Sequence, residues 1–296
     1  MVSKNMVKNF KYLLIPVFLG LVYLYQTQDS LVFSPKKMNF PDRATYNDYE
    51  IGIFRDNQVL HGWFINNLSE QNKKLLVIYG DGDQELSSLF PVADKFGDLS
   101  VLMVNYRGYG ESTGEPTQNN LIGDSLDILD QICADHKIDY QDVIVYGHGL
   151  GSGVATVIAH YRNVNSLILS SPFDSMTSVI DSNGLYLPVK FFLTNHFSSI
   201  SLAPLMELPT LIAIADTDDR YLAKHAQKLL SRWKGEVVEK SFPNNRYTIL
   251  QDKKYWKDIK GFIYTQPKKT TAKPIEKQEF QKPIQIIYAS DLEDQK

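Results

Sequence analysis

Between residues 49 and 264 the chain alternates short apolar runs with amphipathic stretches, the rhythm of a protein built from strand–helix–strand units. Runs rich in β-branched and aromatic residues predict strands at 49–54, 59–65, 75–79, 101–105, 143–146, 166–169, 210–214 and 236–241. The first two flank the turn dipeptide Asp56-Asn57 and so predict a hairpin. Apolar residues at helical spacing predict helices at 85–95, 120–134, 151–161, 221–233 and 253–264, with Ile122, Leu126, Leu129 and Cys133 forming the stripe of the second. The class is therefore α/β, a mostly parallel eight-stranded sheet with helices on both faces. No internal repeat is visible.

The two ends read differently. Lys4, Lys8 and Lys11 precede an apolar run at 12–25, the charge order of a secretory signal or signal anchor. No small-x-small cleavage site follows, which favours an uncleaved membrane anchor over a cleaved signal or a helix packed on the domain. The run is shorter than the ~20 residues of a usual span, although Phe10 and snorkelling lysines extend it. The leading lysines predict a cytoplasmic N-terminus, with the domain on the far side of a membrane crossed once. At the other end, Pro267, Pro274 and Pro283 among Lys, Thr, Gln and Glu predict a flexible tail at 267–296. Within it 284–288 is a β-prone run, either an incidental apolar patch or a strand that adds to a sheet edge. The expected organisation is an anchor and lead-in at 1–33, a domain at 34–266 with a short cap near 175–208, and the tail.

Composition narrows the function classes. A formal net charge of −3 over 296 residues argues against a nucleic-acid binder, whose footprint is strongly basic. Membrane, an apolar small molecule or a protein remain as partners. The single cysteine, Cys133, excludes an intrachain disulfide and a thiolate cluster, and the six histidines show no metal-ligand spacing, so neither metal nor cofactor is expected.

Candidate chemistry concentrates in Asp142-Val-Ile-Val-Tyr-Gly-His-Gly-Leu-Gly-Ser-Gly-Val154, a buried strand, a glycine-tight turn and a helix start. Serine hydrolases place G-x-S-x-G there, with the nucleophile at the strained centre and the next N–H binding the oxyanion. Gly149 occupies the centre and offers no attacking atom. Ser152, three residues on, reads as an ordinary first-turn helix serine. A dinucleotide-binding turn is disfavoured, because Gly147, Gly149, Gly151 and Gly153 do not give G-x-G-x-x-G.

Four segments in order carry a resemblance: Tyr25-Gln-Thr-Gln-Asp-Ser-Leu-Val-Phe-Ser-Pro35, Asn105-Tyr-Arg-Gly-Tyr-Gly-Glu-Ser-Thr-Gly114 with Pro116, Ser171-Pro-Phe173, and Pro209-Thr-Leu-Ile-Ala-Ile-Ala-Asp-Thr-Asp218. Over roughly 25–265 the chain resembles a membrane-anchored α/β-hydrolase of the small-capped branch. That resemblance implies the α/β-hydrolase fold and a Ser, Asp, His triad, from which this chain departs. Its acid matches Asp218, with Asp216 and Asp219 beside it. Its nucleophile falls on Gly149, and its histidine on Tyr247, or on Arg246 if the register slips. The oxyanion turn reads Tyr79-Gly-Asp-Gly-Asp83: Gly80 and Gly82 still allow a nest of backbone N–H groups near the N–H of Leu150, while Asp81 and Asp83 set negative charge near an oxyanion and oppose acyl transfer. Tyr79, His148 and Asp174 are the expected pocket residues. The reading is a degenerate pseudo-hydrolase that binds an apolar or acyl ligand or a protein partner. The alternative is an esterase or lipase-like enzyme with relocated groups, such as Asp174 or Asp218 with His196; a structural role with an empty pocket is a further one.

Overall fold

The structure, a computed structural model, describes residues 15–38 (apart from 17, 21 and 24), 46–70, 72–182, 193–221, 223–265 and 284–289. Its strands are β1 (Glu50–Arg55), β2 (Gln58–Ile65), β3 (Leu75–Tyr79), β4 (Ser100–Val104), β5 (Val143–His148), β6 (Ser166–Ser170), β7 (Thr210–Ala215), β8 (Val237–Phe242) and β9 (Ile284–Tyr288). They form one sheet in the order β8-β7-β6-β5-β3-β4-β2-β1-β9. Pairs from β3 to β8 are parallel, whereas β1 with β2, β2 with β4 and β1 with β9 are antiparallel. The main helices are α1 (Gln118–Asp135), α2 (Leu150–Tyr161), α3 (Met176–Ser182), α4 (Ala223–Leu230) and α5 (Lys253–Thr265).

Period-two alternation in the central strands builds two cores, one on each face. Leu75, Val77, Val143 and Val145 face α1 and α2, while Leu76, Ile78, Ile144 and Tyr146 face α5 and the segment 86–96. The helix expected at 85–95 is three short pieces, Leu86–Leu89, Phe90–Ala93 and Asp94–Phe96. Pro91 lacks an N–H and opens a fresh first turn, which interrupts a continuous ladder.

The sheet has nine strands, one more than expected, because 284–288 pairs with β1 in the register Ile53↔Ile286. Ile284, Ile286 and Tyr288 alternate onto the core side, and the Tyr288 hydroxyl lies 3.1 Å from His136 Nε2. An alternating apolar triplet at an open edge buries more surface than it leaves exposed, so this part of the expected flexible tail is ordered.

Of the expected anchor at 12–25, residues 12–14, 17, 21 and 24 lie outside the described residues; those described between 15 and 27 are helical. Among the described residues no helix is long and apolar enough to cross a membrane. The cap contributes α3 and a short helix, Ser199–Leu202, and residues 183–192 of it lie outside the described residues.

Strand order fixes where a site can form. From β3 the chain goes to β4 on one side and, later, to β5 on the other, so the carboxyl ends of β3 and β5 border a topological switch point. Two buried arginines hold the loop after β4 beside it. Arg107 grips Asp124 of α1 through Nε and Nη2 at 2.8 and 2.7 Å, and Arg55 of β1 bonds Asp124 and Asp127. That loop turns through Gly108 and Gly110, at φ 81° and 54°, and delivers the Tyr109 hydroxyl to the carbonyl of Gly82 at 2.6 Å.

Replacing Ile286 with Asp sets a charge against the core beside β1. Urea unfolding of this variant is expected to show a loss of about 1–3 kcal/mol relative to wild type.

Candidate functional site

The turn between β5 and α2 has the shape of a nucleophile elbow. Gly149 adopts φ 53° and ψ −119°, a conformation costly for a residue with a side chain, and its N–H donates to the Ser170 carbonyl at 3.0 Å. A side chain at 149 has no room. An ideal Cβ there falls 2.3, 2.4 and 2.6 Å from Cγ, Oδ1 and Oδ2 of Asp81. The carboxylate of the oxyanion turn fills the place of the nucleophile.

Asp81 is buried at 2% exposure, and its charge is met from four directions. Oδ1 accepts the N–H of Leu150 at 2.8 Å, the N–H of Gly82 at 2.7 Å and the hydroxyl of Tyr221 at 2.8 Å. Oδ2 lies 3.2 Å from Nε of Arg246. The first-turn N–H that would stabilise an oxyanion is thus already engaged by a resident anion, and the positive end of the α2 dipole with it.

Arg246 stands where a base belongs. Its backbone N–H donates to Asp218 Oδ2 at 2.7 Å, and its Nη1 lies 3.3 Å from Asp218 Oδ1 and 3.1 Å from Asp219 Oδ1. Burial disfavours its charge, yet Asp81 and Asp218 outweigh that and hold the guanidinium above its ordinary value. Of the two registers left open for the base, the residue facing the acid is Arg246. Tyr247 is half exposed instead, and its hydroxyl bridges Arg246 Nη2 at 2.6 Å and Asp83 Oδ2 at 2.5 Å. The reason is local. The Asn245 side-chain carbonyl accepts the N–H groups of Tyr247 and Thr248, closing a turn that directs Arg246 inward and Tyr247 outward.

Asp218 itself is buried and acts as a loop cap. Oδ1 accepts the N–H groups of Arg220 and Tyr221 at 2.9 and 2.7 Å. Asp216 and Asp219 are exposed, which separates the three carboxylates that sequence leaves side by side.

The expected pocket residues do not share a pocket. Tyr79 points under α1, where it lines a small cavity with Tyr106, Asp124 and Ser125, because strand alternation carries it to that face. His148 is buried, with Nδ1 3.1 Å from Ser170 Oγ, and burial lowers its pKa. Asp174 lies in the loop between β6 and α3 and pairs with His225 Nδ1 at 2.8 Å and Lys228 Nζ at 2.5 Å. Burial raises the Asp174 pKa, but those partners outweigh it and hold the carboxyl below the usual range. His225 is therefore a core residue joining α4 to the cap. His196 is exposed, while Asp174 and Asp218 are each committed to other partners, so the relocated pairing with His196 is not formed. Ser152 donates from Oγ to the Gly149 carbonyl at 2.7 Å, a first-turn back-bond.

Sequence reasoning missed Tyr221, which stacks on Phe173 at 5.3 Å and donates to Asp81. It also missed the lead-in segment. Ser34 N–H donates to the Gly82 carbonyl at 2.8 Å, and Arg220 Nη2 donates to the Leu31 carbonyl at 3.0 Å, so residues 31–34 lie across the oxyanion turn. The signal available for Tyr221 was the charge excess of the turn, since a buried Asp81 requires donors from somewhere.

Three outcomes follow. Gly149→Ser is expected to lose about 2–4 kcal/mol, from a strained φ and a clash with Asp81, and to gain no activity; thermal unfolding and an ester assay measure both. Arg246→Met leaves two buried carboxylates without their cation and is expected to cost about 3–5 kcal/mol by urea titration. His148 has a depressed folded pKa, so its contribution is fully present above its unfolded value of about 6.5 and is lost as pH falls below it. His148→Asn should accordingly show a shallower loss of urea midpoint between about pH 7 and about pH 5 than wild type.

Comparison with known proteins agrees with this architecture. The family described as serine aminopeptidase, S33, matches residues 91–203. An uncharacterized protein of Mycobacterium tuberculosis is 26% identical over 217 residues, 71% of this chain and 77% of that one. Protein bem46 of Schizosaccharomyces pombe is 25% identical over 218 residues, 68% and 73% of the two chains. Among solved structures, the Pyrococcus furiosus esterase Pf2001 superposes with a TM-score of 0.63 at 16% identity, covering 79% of this chain and 97% of that one. With the elbow, the switch point and the strand order in place, this chain has the α/β-hydrolase fold.

Proposed function

We propose that this α/β-hydrolase is a catalytically silent member held at a membrane, whose elbow serves binding and architecture in place of turnover. One observation carries the reading: the Asp81 carboxylate occupies both the space of the missing nucleophile and the N–H of Leu150. No atom at position 149 can attack, and Arg246, permanently charged, cannot accept a proton as a base must. Loss of the nucleophile alone costs such enzymes on the order of 10⁶ in turnover. The fold it shares with an esterase of Pyrococcus furiosus supports ancestry in ester chemistry. What remains for the site is binding, of an apolar or acyl ligand or of a protein partner, beneath the cap.

Membrane attachment is supported by the N-terminal run. Ile15, Phe18, Leu19, Tyr23 and Tyr25 are each 55–66% exposed, an apolar surface that water does not favour and a bilayer does. The leading lysines support a cytoplasmic N-terminus with the domain beyond the membrane.

The test is hydrolysis of short and medium acyl p-nitrophenyl esters, with labelling by a serine-directed phosphonate. Wild type is expected to do neither. The combined Gly149→Ser, Arg246→His, Asp81→Gly variant is expected to gain phosphonate labelling, because it supplies nucleophile and base and vacates the oxyanion N–H groups. Turnover by wild type that the phosphonate titrates to zero would overturn the reading.

A further inference from the structure

Four groups from four segments converge on one carboxylate: the N–H of Gly82 after β3, the N–H of Leu150 at the start of the twelve-residue α2, the Tyr221 hydroxyl before α4, and Nε of Arg246 after β8. All four are donors, so the group they surround must offer acceptors only. Arg246 further selects a negative charge. We propose that this convergence is a carboxylate-binding site whose resident ligand is the chain's own Asp81, in effect a tethered acetate. The proposal rests on the reading that the elbow binds and does not turn over.

A helix N-cap would require only the N–H of Leu150. Here both oxygens are addressed, and two of the donors, Tyr221 and Arg246, have partners besides Asp81. Tyr221 is stacked on Phe173 with rings 19° from parallel, and Arg246 is held separately by Asp218 and Asp219. The Arg246 side chain is 8% exposed, yet its Nε, aimed at Asp81 Oδ2, makes no aligned hydrogen bond. That N–H is a donor with capacity for a better-placed oxygen. The cavity is provided by the absent side chain at Gly149, against which the carboxylate lies. Asp218 and Asp219 flank the cation and disfavour a dianion, so the fitting class is a small monocarboxylate. In wild type the tether keeps the resident group at high effective concentration, which closes the site to external carboxylates.

Removing the tether tests this. Asp81→Gly of the full chain is compared with wild type by thermal unfolding in sodium acetate, sodium formate, sodium chloride and acetamide, with ionic strength held constant in the three salts. The variant is expected to melt below wild type in chloride. Acetate and formate should raise its midpoint saturably, by about 3–5 °C at tenfold excess over the dissociation constant. Acetamide should do nothing, and wild type should not respond to any of them. A shift in acetate no larger than in chloride, or an equal shift in wild type, overturns the proposal. If Asp81→Gly does not fold in chloride, refolding from urea in acetate but not in acetamide supports the site, and equal failure in both rejects it. Ester turnover by wild type would instead strike the reading of a silent enzyme, so the two failures are distinct.

Discussion

A carboxylate buried without compensation costs several kcal/mol, and the structure around the elbow is arranged to meet that demand at Asp81. Its pair with Arg246, together with three hydrogen bonds, ties the turn after β3 to the turn after β5, the loop after β7 and the loop after β8. The first two follow the strands that border the switch point, and the loops after β7 and β8 reach in to them. Without the cation the acidic side chains gathered there would repel one another in a low dielectric, and the loops that carry them would separate.

The departures from a working hydrolase are physically coupled. Asp81 can enter the elbow only because Gly149 has no Cβ, and its carboxylate there faces the Arg246 guanidinium. Arg246 in turn is oriented by Asp218, whose usual role is to orient a histidine. Asp218 thus serves a guanidinium, which has no acid–base capacity. The rim continues the theme, with Tyr247 and Asp83 closing the network toward solvent.

Around this centre the chain uses longer reaches to keep the loops registered. Residues 31–34 cross the oxyanion turn, and the Ser34 N–H and the Tyr109 hydroxyl both donate to its Gly82 carbonyl. The cap is joined to α4 through Asp174, His225 and Lys228. The lead-in also meets the cap, where Gln28 accepts the Thr194 N–H and Asp29 accepts from the Asn195 side-chain amide.

The alternation of apolar and polar positions is enough to determine an α/β protein with a parallel sheet core, since each central strand must bury both faces. The elbow was legible because few sequences make a strand, a φ-positive turn and a helix within a dozen residues, and the lost nucleophile was legible because it is a single identity at Gly149. Local patterns also left real ambiguities. The run at 284–288 became a strand because β1 offered an open edge, and 85–95 broke because Pro91 could not continue a helix that its neighbours favoured. Which of Arg246 and Tyr247 faces Asp218 depended on a turn closed by Asn245, a difference of one residue that reverses which side chain is inside. Sequence by itself determined the fold class, the missing serine and the charge placed in the oxyanion turn, because each is set by residue type and near neighbours. Only the tertiary structure decided that Asp81 fills the vacant elbow and that Tyr221 and Arg246 receive it, because that contact joins residues 140 and more positions apart and exists only once the strand ends are assembled.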